Sequence, residues 1–97
     1  MKRDDEAERD VEWDETKDIA NQKKHHVSFE EAASVFADSL EITIADPDHS
    51  VVEPRFISIG ESFKRRLPVV SYTERDNSIR IISARKPTKH ERREYEG

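Results

Sequence analysis

Residues 78–95 constrain the fold of this chain most, because a strand and a helix meet within them at a proline. Ile79 and Ile81 recur at the period of two that is typical of a β-strand. Pro87 has no backbone N–H to donate to a sheet, so the strand is predicted to end by Lys86.

A capped helix is predicted directly after this strand. Thr88 and Glu91 have the spacing of a capping box, in which each side chain satisfies a backbone N–H of the first turn. The helix is expected over 89–96, and it is expected to be weakly anchored because Tyr95 is its one apolar residue. Arg85 is thereby placed at the rim of a sheet, beside the positive end of a helix, where a phosphate group would be stabilised.

Two further helices are predicted in the first half of the chain by their capping residues. Asp14 is a favourable N-cap for a helix that extends to about Lys24. Ser28 and Glu31 have capping-box spacing and predict the start of a second helix. Apolar side chains recur along this second helix at i, i+3, i+4 and i+7, so they are expected in the core. They are Phe29, Ala32, Ala33 and Phe36, with Val35 beside them.

Five strands complete the predicted fold. The first is short and covers 11–13, and the second contains Leu40, Ile42 and Ile44, whose alternation predicts a strand facing the core on one side. The other three are expected at 55–60, at 68–73 and from residue 78 onward, with a hairpin turn at 74–77. The resulting order, β-α-α-β-β-β-β-α, predicts a small α+β domain with helices packed on one face of a mainly antiparallel sheet.

Composition sets further bounds on what the chain can be. With 97 residues, 33% of them hydrophobic and 40% charged, one small domain with a lean core is expected. The absence of cysteine excludes disulfides, thiolate metal sites and cysteine catalysis. No apolar run approaches the ~18 residues of a membrane span, so a cytoplasmic protein without membrane association is expected. Residues 1–10 are almost entirely charged and are predicted to form a disordered acidic tail, which leaves 11–97 as the folded domain.

Charge is unevenly distributed along the chain. The net charge is −5, yet residues 64–93 hold ten lysines and arginines against three acidic residues. A basic surface spread over two strands and a helix indicates a nucleic-acid ligand. Two other interpretations remain open. One is a non-catalytic nucleic-acid-binding or regulatory protein that uses this surface, and the other is an interaction module whose charged last helix docks a protein.

Several short motifs follow one another in order between residues 11 and 96. They are Trp13-Asp14-Glu15-x-Lys17, Asn21-x-x-Lys24-His25, Val27-Ser28-Phe29-x-Glu31-Ala32, Val35-Phe36-x-Asp38, Asp48-His49-Ser50, Glu53-x-Arg55, Ile59-Gly60, Arg80-Ile81-Ile82-Ser83-Ala84-Arg85 and Glu91-Arg92-x-x-Tyr95. Together they resemble the BrnT family of toxins from type II toxin–antitoxin systems.

The resemblance implies a RelE-like fold and an endoribonuclease that cleaves RNA without a metal ion or other cofactor, inhibiting translation and growth. It also implies neutralisation by a small BrnA-like antitoxin, in a complex expected to be a heterotetramer that contacts operator DNA only through the antitoxin. The sequence departs from the family pattern at three positions. His26 and Pro87 stand where glycine and alanine are usual, and Ser39 stands where proline is common. His26 follows a helix at a point where a left-handed backbone is often needed.

RNA cleavage without a metal ion needs a base for the 2′-hydroxyl, cations for the scissile phosphate and an acid for the leaving oxygen. Arginine suits the second role because its planar guanidinium binds phosphate through two hydrogen bonds and remains charged. Arg80 and Arg85 are the first candidates. Arg80 could equally be an outward-facing surface residue of its strand, and the resemblance to the family favours a role in the site.

Histidine and glutamate side chains are the candidates for proton transfer. His49 lies in an acidic loop that favours its charged form, as suits an acid. His25 could transfer a proton, or it could cap the C-terminus of the first helix. Glu53 and Arg55 are two residues apart on one strand face, so the arginine could orient the carboxylate as a base. The alternative for this pair is a surface ion pair of little energetic value.

Other basic and aromatic residues are expected to bind RNA. They are Lys24, Lys64, Arg65, Arg66, Tyr72 and Lys86. Tyr72 could stack on a base, although a half-buried strand tyrosine is more often structural. No metal site is expected, because the four histidines show no recognisable ligand spacing.

Overall fold

The computed structural model of the protein describes residues 10–46 and 53–97. In chain order these form β1 (Asp10–Glu12), α1 (Glu15–His25), α2 (Phe29–Ser34) continued by a 3₁₀ turn (Val35–Ala37), β2 (Ile42–Ala45), β3 (Arg55–Ile59), β4 (Val69–Arg75), β5 (Ser78–Arg85) and α3 (Lys89–Glu96). The predicted α+β class and element order are confirmed. Of the expected acidic tail, only Asp10 falls within the described residues, as the first residue of β1. None of the helices described is long and apolar enough to cross a membrane.

The strands form one sheet in the order β1-β5-β4-β3-β2. β2 to β5 pair antiparallel in succession, as predicted, and β1 pairs parallel with β5. A bulge shifts the pairing of β4 with β5 by one residue, because Ser71 pairs with Ser83 while Tyr72 pairs with Ile81. The strand order places β5 inside the sheet, between β1 and β4.

Capping side chains start α1 and α2 where the sequence predicts. Asp14 accepts a hydrogen bond from the backbone N–H of Thr16 at 2.8 Å, and the Ser28 hydroxyl accepts from the N–H of Glu31 at 3.0 Å. The prediction of a complete capping box at Ser28 is wrong in its second half. The Glu31 carboxylate binds the guanidinium of Arg66 instead of bending back to the helix start.

α1 ends at His25, and the turn that follows ties it to β5. His26 has the left-handed conformation expected from its position, with φ of 61°. The Asn21 side-chain amide donates to the carbonyl oxygens of Val27 and Ala84, at 2.8 Å each, and its oxygen accepts from the Ala84 N–H at 3.2 Å. The last turn of α1 is thereby fixed beside the end of β5.

The main core lies between one sheet face and α2. α1 is joined to this helical layer by the buried carboxylate of Asp18, which accepts from the backbone N–H of Phe29 at 2.9 Å. Trp13 and Phe36 pack at the edge of the main core, and the Trp13 ring meets Phe29 edge-on with centroids 6.3 Å apart. The predicted apolar stripe of α2 forms the helical side of this core. The buried residues of the whole main core are Val27, Phe29, Ala32, Val35, Val70, Tyr72, Ile79, Ile81 and Ala84.

The opposite sheet face carries α3. Ile57 and Val69 alternate along their strands with residues of the main core, so they point away from α1 and α2, and Tyr95 of α3 packs against them. The Tyr95 hydroxyl also donates to the carboxylate of Asp38, which raises the pKa of Tyr95 to about 12. The predicted packing of the helices on one face of the sheet is therefore correct for α1 and α2. α3 instead covers part of the other face, and it is better anchored than predicted.

β2 forms an edge of the sheet, and apolar residues in and before it are more exposed than predicted. Leu40 is 70% exposed and Ile44 is 56% exposed, so the prediction that this segment faces the core is wrong for both. Alternation identifies a strand but not whether another element covers it. Here α3 leaves an open cleft of ≈ 330 Å³ above Ile42 and Ile44, with His90 and Glu94 on its helical side.

Candidate nucleic-acid interface

β5 presents Arg80 and Arg85 on the sheet face opposite the main core. Ile79, Ile81 and Ala84 are all buried in that core, because the bulge shifts the alternation between Ile81 and Ser83. Adjacent strand residues point to opposite faces, so Arg80 and Arg85 both point away from the core. At a rise of about 3.3 Å per residue, their Cα atoms are roughly 16 Å apart. The two guanidinium groups can therefore serve one extended ligand.

Glu91 of α3 holds Arg85. Nη1 of Arg85 donates to Oε1 of Glu91 at 2.8 Å, and Nη2 donates to Oε2 at 2.9 Å. These hydrogen bonds lower the pKa of Glu91 to about 2 and raise the pKa of Arg85. Glu91 also completes the predicted capping box with Thr88. The ion pair thus joins the end of β5 to the first turn of α3.

Arg80 belongs to a row of side chains that crosses the sheet. The strand register places Arg80 between Glu12 of β1 and Thr73 of β4, with Arg55 of β3 beyond Thr73. Since neighbouring strands are about 4.8 Å apart, the Cα atoms of Arg55 and Arg80 are roughly 10 Å apart. Nη1 of Arg80 is 3.5 Å from Oε2 of Glu12, and half of the Arg80 side chain is exposed. Its guanidinium is therefore only loosely held.

Arg75, which the sequence reasoning did not single out, lies on the same face two residues after Thr73. Its guanidinium donates to the carboxylate of Glu53, and this contact raises the pKa of Arg75. Arg75 thus orients the Glu53 carboxylate, whose predicted partner was Arg55. A polar cleft of ≈ 110 Å³ is lined by Glu12, Thr73, Arg75, Asp76, Ser78 and Arg80.

His25 is the last residue of α1, which lies with α2 on the core side of the sheet, whereas Arg85 points to the opposite face. His25 follows Asn21 by one helical turn, so both are on the same side of α1, and the hydrogen bonds of Asn21 with the backbone of Ala84 place that side near the end of β5. The remaining histidine candidate, His49, lies outside the described residues.

A protein-family comparison covers this whole region. The family model described as "Ribonuclease toxin, BrnT, of type II toxin-antitoxin system" matches residues 13–91. The chain belongs to the BrnT family. The matched range contains every arginine of the sheet face together with Glu91, and it confirms the resemblance read from the motifs.

One solved structure shows the same fold as this BrnT-family chain. It is the 1.1 Å crystal structure of the ribonuclease toxin BrnT from Brucella abortus, with a TM-score of 0.61 and 20% sequence identity. The similarity covers 84% of this chain and 100% of the Brucella chain. No curated protein sequence matches the chain.

The prediction that Tyr72 stacks on an RNA base is wrong. Only 2% of Tyr72 is exposed, and its ring lies between Phe36 and Phe56, with centroids 4.9 and 5.8 Å away. Its hydroxyl shares a hydrogen bond of 2.9 Å with the Ser58 hydroxyl, and burial raises the pKa of Tyr72. No face of the ring is open to a base.

Arg66 is engaged in a structural ion pair, contrary to its predicted use in RNA binding. Its Nε donates to Oε2 of Glu31 at 2.9 Å, and its Nη2 donates both to Oε1 of Glu31 and to the carbonyl oxygen of His26. The Glu31 side chain is fully buried and also accepts from the Ser62 hydroxyl at 2.7 Å. Burial acts to raise the pKa of Glu31, but the hydrogen bonds from Arg66 and Ser62 outweigh it, so the pKa is lowered.

The other predicted RNA-binding residues are on the surface. Arg65 has a left-handed backbone with φ of 63° and pairs with Glu61 at 2.6 Å. Lys24, Lys64 and Lys86 are exposed. Across residues 10–46 and 53–97, no three His, Asp or Glu side chains are grouped so that they could hold a metal ion.

Proposed function

We propose that this BrnT-family toxin cleaves RNA, without a metal ion, on the sheet face that carries Arg55, Arg75, Arg80 and Arg85. The observation that supports this proposal is the placement of Arg80 and Arg85 on one face of β5, opposite the core. Four arginines on one sheet face provide planar, permanently charged groups for consecutive phosphates of a single RNA strand. Glu12, the carboxylate partner of Arg80, is more than half exposed and 3.5 Å away, so a phosphate can replace it at modest cost.

The proposed chemistry is attack of a 2′-hydroxyl on the adjacent phosphate, giving a cyclic phosphate and a free 5′-hydroxyl. Arg80 and Arg85 stabilise the charge that develops on the phosphate oxygens. Glu53, oriented by Arg75, is the candidate base for the Arg80 end of the face. His25 is the proton-transfer candidate at the Arg85 end, and His49 remains a candidate acid from the sequence alone.

We further propose a BrnA-like antitoxin as the partner that neutralises the toxin. A type II toxin–antitoxin family implies a protein antitoxin, and a heterotetramer that binds operator DNA through the antitoxin is the assembly to be expected. The substrate is cellular RNA in the cytoplasm, and its cleavage inhibits translation and growth.

Induced expression tests this function in living cells. Wild-type protein should arrest growth and fragment RNA, and co-expression of a small protein encoded beside it should restore growth. The double variant Arg80→Ala/Arg85→Ala should be harmless at equal abundance. Arg92→Ala removes a half-exposed arginine of α3 that pairs with Glu96 at 3.6 Å. It is the matched control and should remain toxic. Salt-dependent binding to duplex DNA by the protein alone, without RNA scission, would favour the non-catalytic alternative.

A further inference from the structure

The Arg85 guanidinium has two edges that can each donate a pair of parallel hydrogen bonds. The Nη1–Nη2 edge is occupied by the two carboxylate oxygens of Glu91, and the second hydrogen of Nη1 is taken by the carbonyl oxygen of Lys86 at 3.1 Å. No acceptor among residues 10–46 and 53–97 contacts Nε of Arg85. No residue of the described part of the chain therefore occupies the Nε–Nη2 edge, which is equally able to bind a phosphate through two hydrogen bonds.

Glu91 is itself fixed in place. Its Oε1 accepts from the backbone N–H of Thr88 at 2.9 Å, and its own N–H donates to the Thr88 hydroxyl at 3.1 Å. At the other end of α3, Tyr95 is bound to Asp38 and packs against the sheet. The carboxylate that grips Arg85 is thus attached to a helix anchored at both ends.

We propose that Glu91 is a positioning residue of the RNA site, which holds Arg85 so that its Nε–Nη2 edge faces the scissile phosphate. This inference rests on the proposed ribonuclease function. A long arginine side chain loses much rotational freedom when it binds a ligand, and Glu91 supplies that order before the RNA arrives. The pKa of Glu91, lowered to about 2, keeps the carboxylate ionised throughout the physiological range.

Glu91→Gln separates positioning from helix capping. Glutamine retains the capping box, because either Glu or Gln can occupy its third helical position, but it loses the charge and one of the two acceptor oxygens. We expect kcat for RNA cleavage to fall about 10- to 100-fold, as for other small displacements of a catalytic group, with a smaller change in KM. The salt dependence of RNA binding should keep its wild-type slope, because Arg85 remains charged, whereas Arg85→Ala should reduce that slope by about one.

Glu94→Gln is the matched control on the same helix. The Glu94 side chain is 65% exposed and pairs with His90 at 3.7 Å, so the kcat of this variant should stay within about twofold of wild type. Trp13 fluorescence and urea unfolding would verify that all variants are folded. If Arg85→Ala is inactive while Glu91→Gln cleaves RNA at or above the wild-type rate, the positioning role is overturned and the ribonuclease function stands. If wild type and Arg85→Ala behave alike, the proposed function itself has failed.

Discussion

Glu31 and Arg66 form a bidentate ion pair in which the carboxylate is fully buried and the guanidinium also binds the carbonyl oxygen of His26. The two residues are 35 positions apart and join the start of α2 to the loop before β4. The hydrogen bond from Arg66 to the carbonyl oxygen of His26 joins the turn at the end of α1 to the same loop. The pair therefore ties the helical layer to the loop that leads into β4, in addition to the main core and the hydrogen bonds of Asn21 with Ala84.

Removal of Arg66 is expected to destabilise the protein strongly. Arg66→Ala leaves the Glu31 carboxylate buried without its partner, and we expect the free energy of unfolding to fall by about 3 kcal/mol. Urea unfolding followed by circular dichroism measures the change. Arg65→Ala is the neighbouring control: this side chain is 84% exposed, so its removal should change the free energy of unfolding by less than about 0.5 kcal/mol. Equal stabilities of the two variants would refute the structural role of the pair.

Acid is expected to weaken the fold through carboxylates whose pKa is lowered. In Glu31, Asp38 and Glu91 the folded-state pKa lies below the ordinary value. Their contribution is therefore fully present above the unfolded-state pKa and is lost as pH falls through the folded-state values. For Glu91 the window extends from 4.5 to about 2. After allowance for solvent screening of this half-exposed pair, its contribution is about 1 kcal/mol.

Urea unfolding at pH 7, 5, 4 and 3 tests this linkage. The free energy of unfolding should be nearly constant between pH 7 and 5 and should decline below pH 4.5. Glu91→Gln should be less stable than wild type at pH 7, and the difference between the two proteins should shrink at pH 3. A difference that grows on acidification would contradict the assigned direction.

His26 occupies a backbone conformation that glycine adopts more easily. A non-glycine residue in the left-handed region costs about 1 kcal/mol, and His26 has φ of 61°. His26→Gly should therefore raise the free energy of unfolding by about 0.5–1 kcal/mol, since the carbonyl that binds Arg66 is retained. His25→Gly provides the contrast, because this residue is helical and glycine there should destabilise by about 1 kcal/mol. Thermal unfolding of both variants measures these two opposite changes in stability.

Tyr72→Phe should affect stability and not RNA binding. The substitution removes the hydroxyl that is bound to Ser58 in the core, and a lost buried hydrogen bond costs about 1 kcal/mol. RNA affinity, measured by fluorescence anisotropy at fixed salt, should be unchanged. A tenfold loss of affinity at unchanged stability would show that the hydroxyl contacts RNA, which its burial argues against.

The elements of this fold could be predicted because their signals are local. The Thr88–Glu91 box and Pro87 bound α3 and β5 within a few residues, and Asp14 starts α1. The partner of Glu31 could not be predicted, because the same capping-box spacing occurs whether the carboxylate bends back or reaches an arginine 35 residues away. Alternation gave the strand that contains Ile44 but not its exposure, since period two does not say which faces are covered.

The candidate site was predictable to a similar extent. Arg80 follows directly from alternation against Ile79 and Ile81. Strict alternation would place Arg85 on the same face as those isoleucines, and only the bulge between the Ser71–Ser83 and Tyr72–Ile81 pairs brings Arg85 to the face of Arg80. Arg75 could be recognised only from the register of β4 with β5, which places it on the same face. Tyr72 and Arg66 were assigned to RNA from their residue types, and their burial and ion pairing depend on contacts far away in the sequence.

The most direct test of the account is cleavage of labelled single-stranded RNA by the purified protein in excess chelator. Wild type should produce fragments ending in a cyclic phosphate, and Arg80→Ala/Arg85→Ala, folded as judged by Trp13 fluorescence, should lose at least 100-fold in rate, on the order of 10-fold or more for each phosphate-stabilising group. Cleavage by the double variant at the wild-type rate, or wild-type cleavage that stops when divalent ions are chelated, would contradict a metal-independent arginine site on this sheet face.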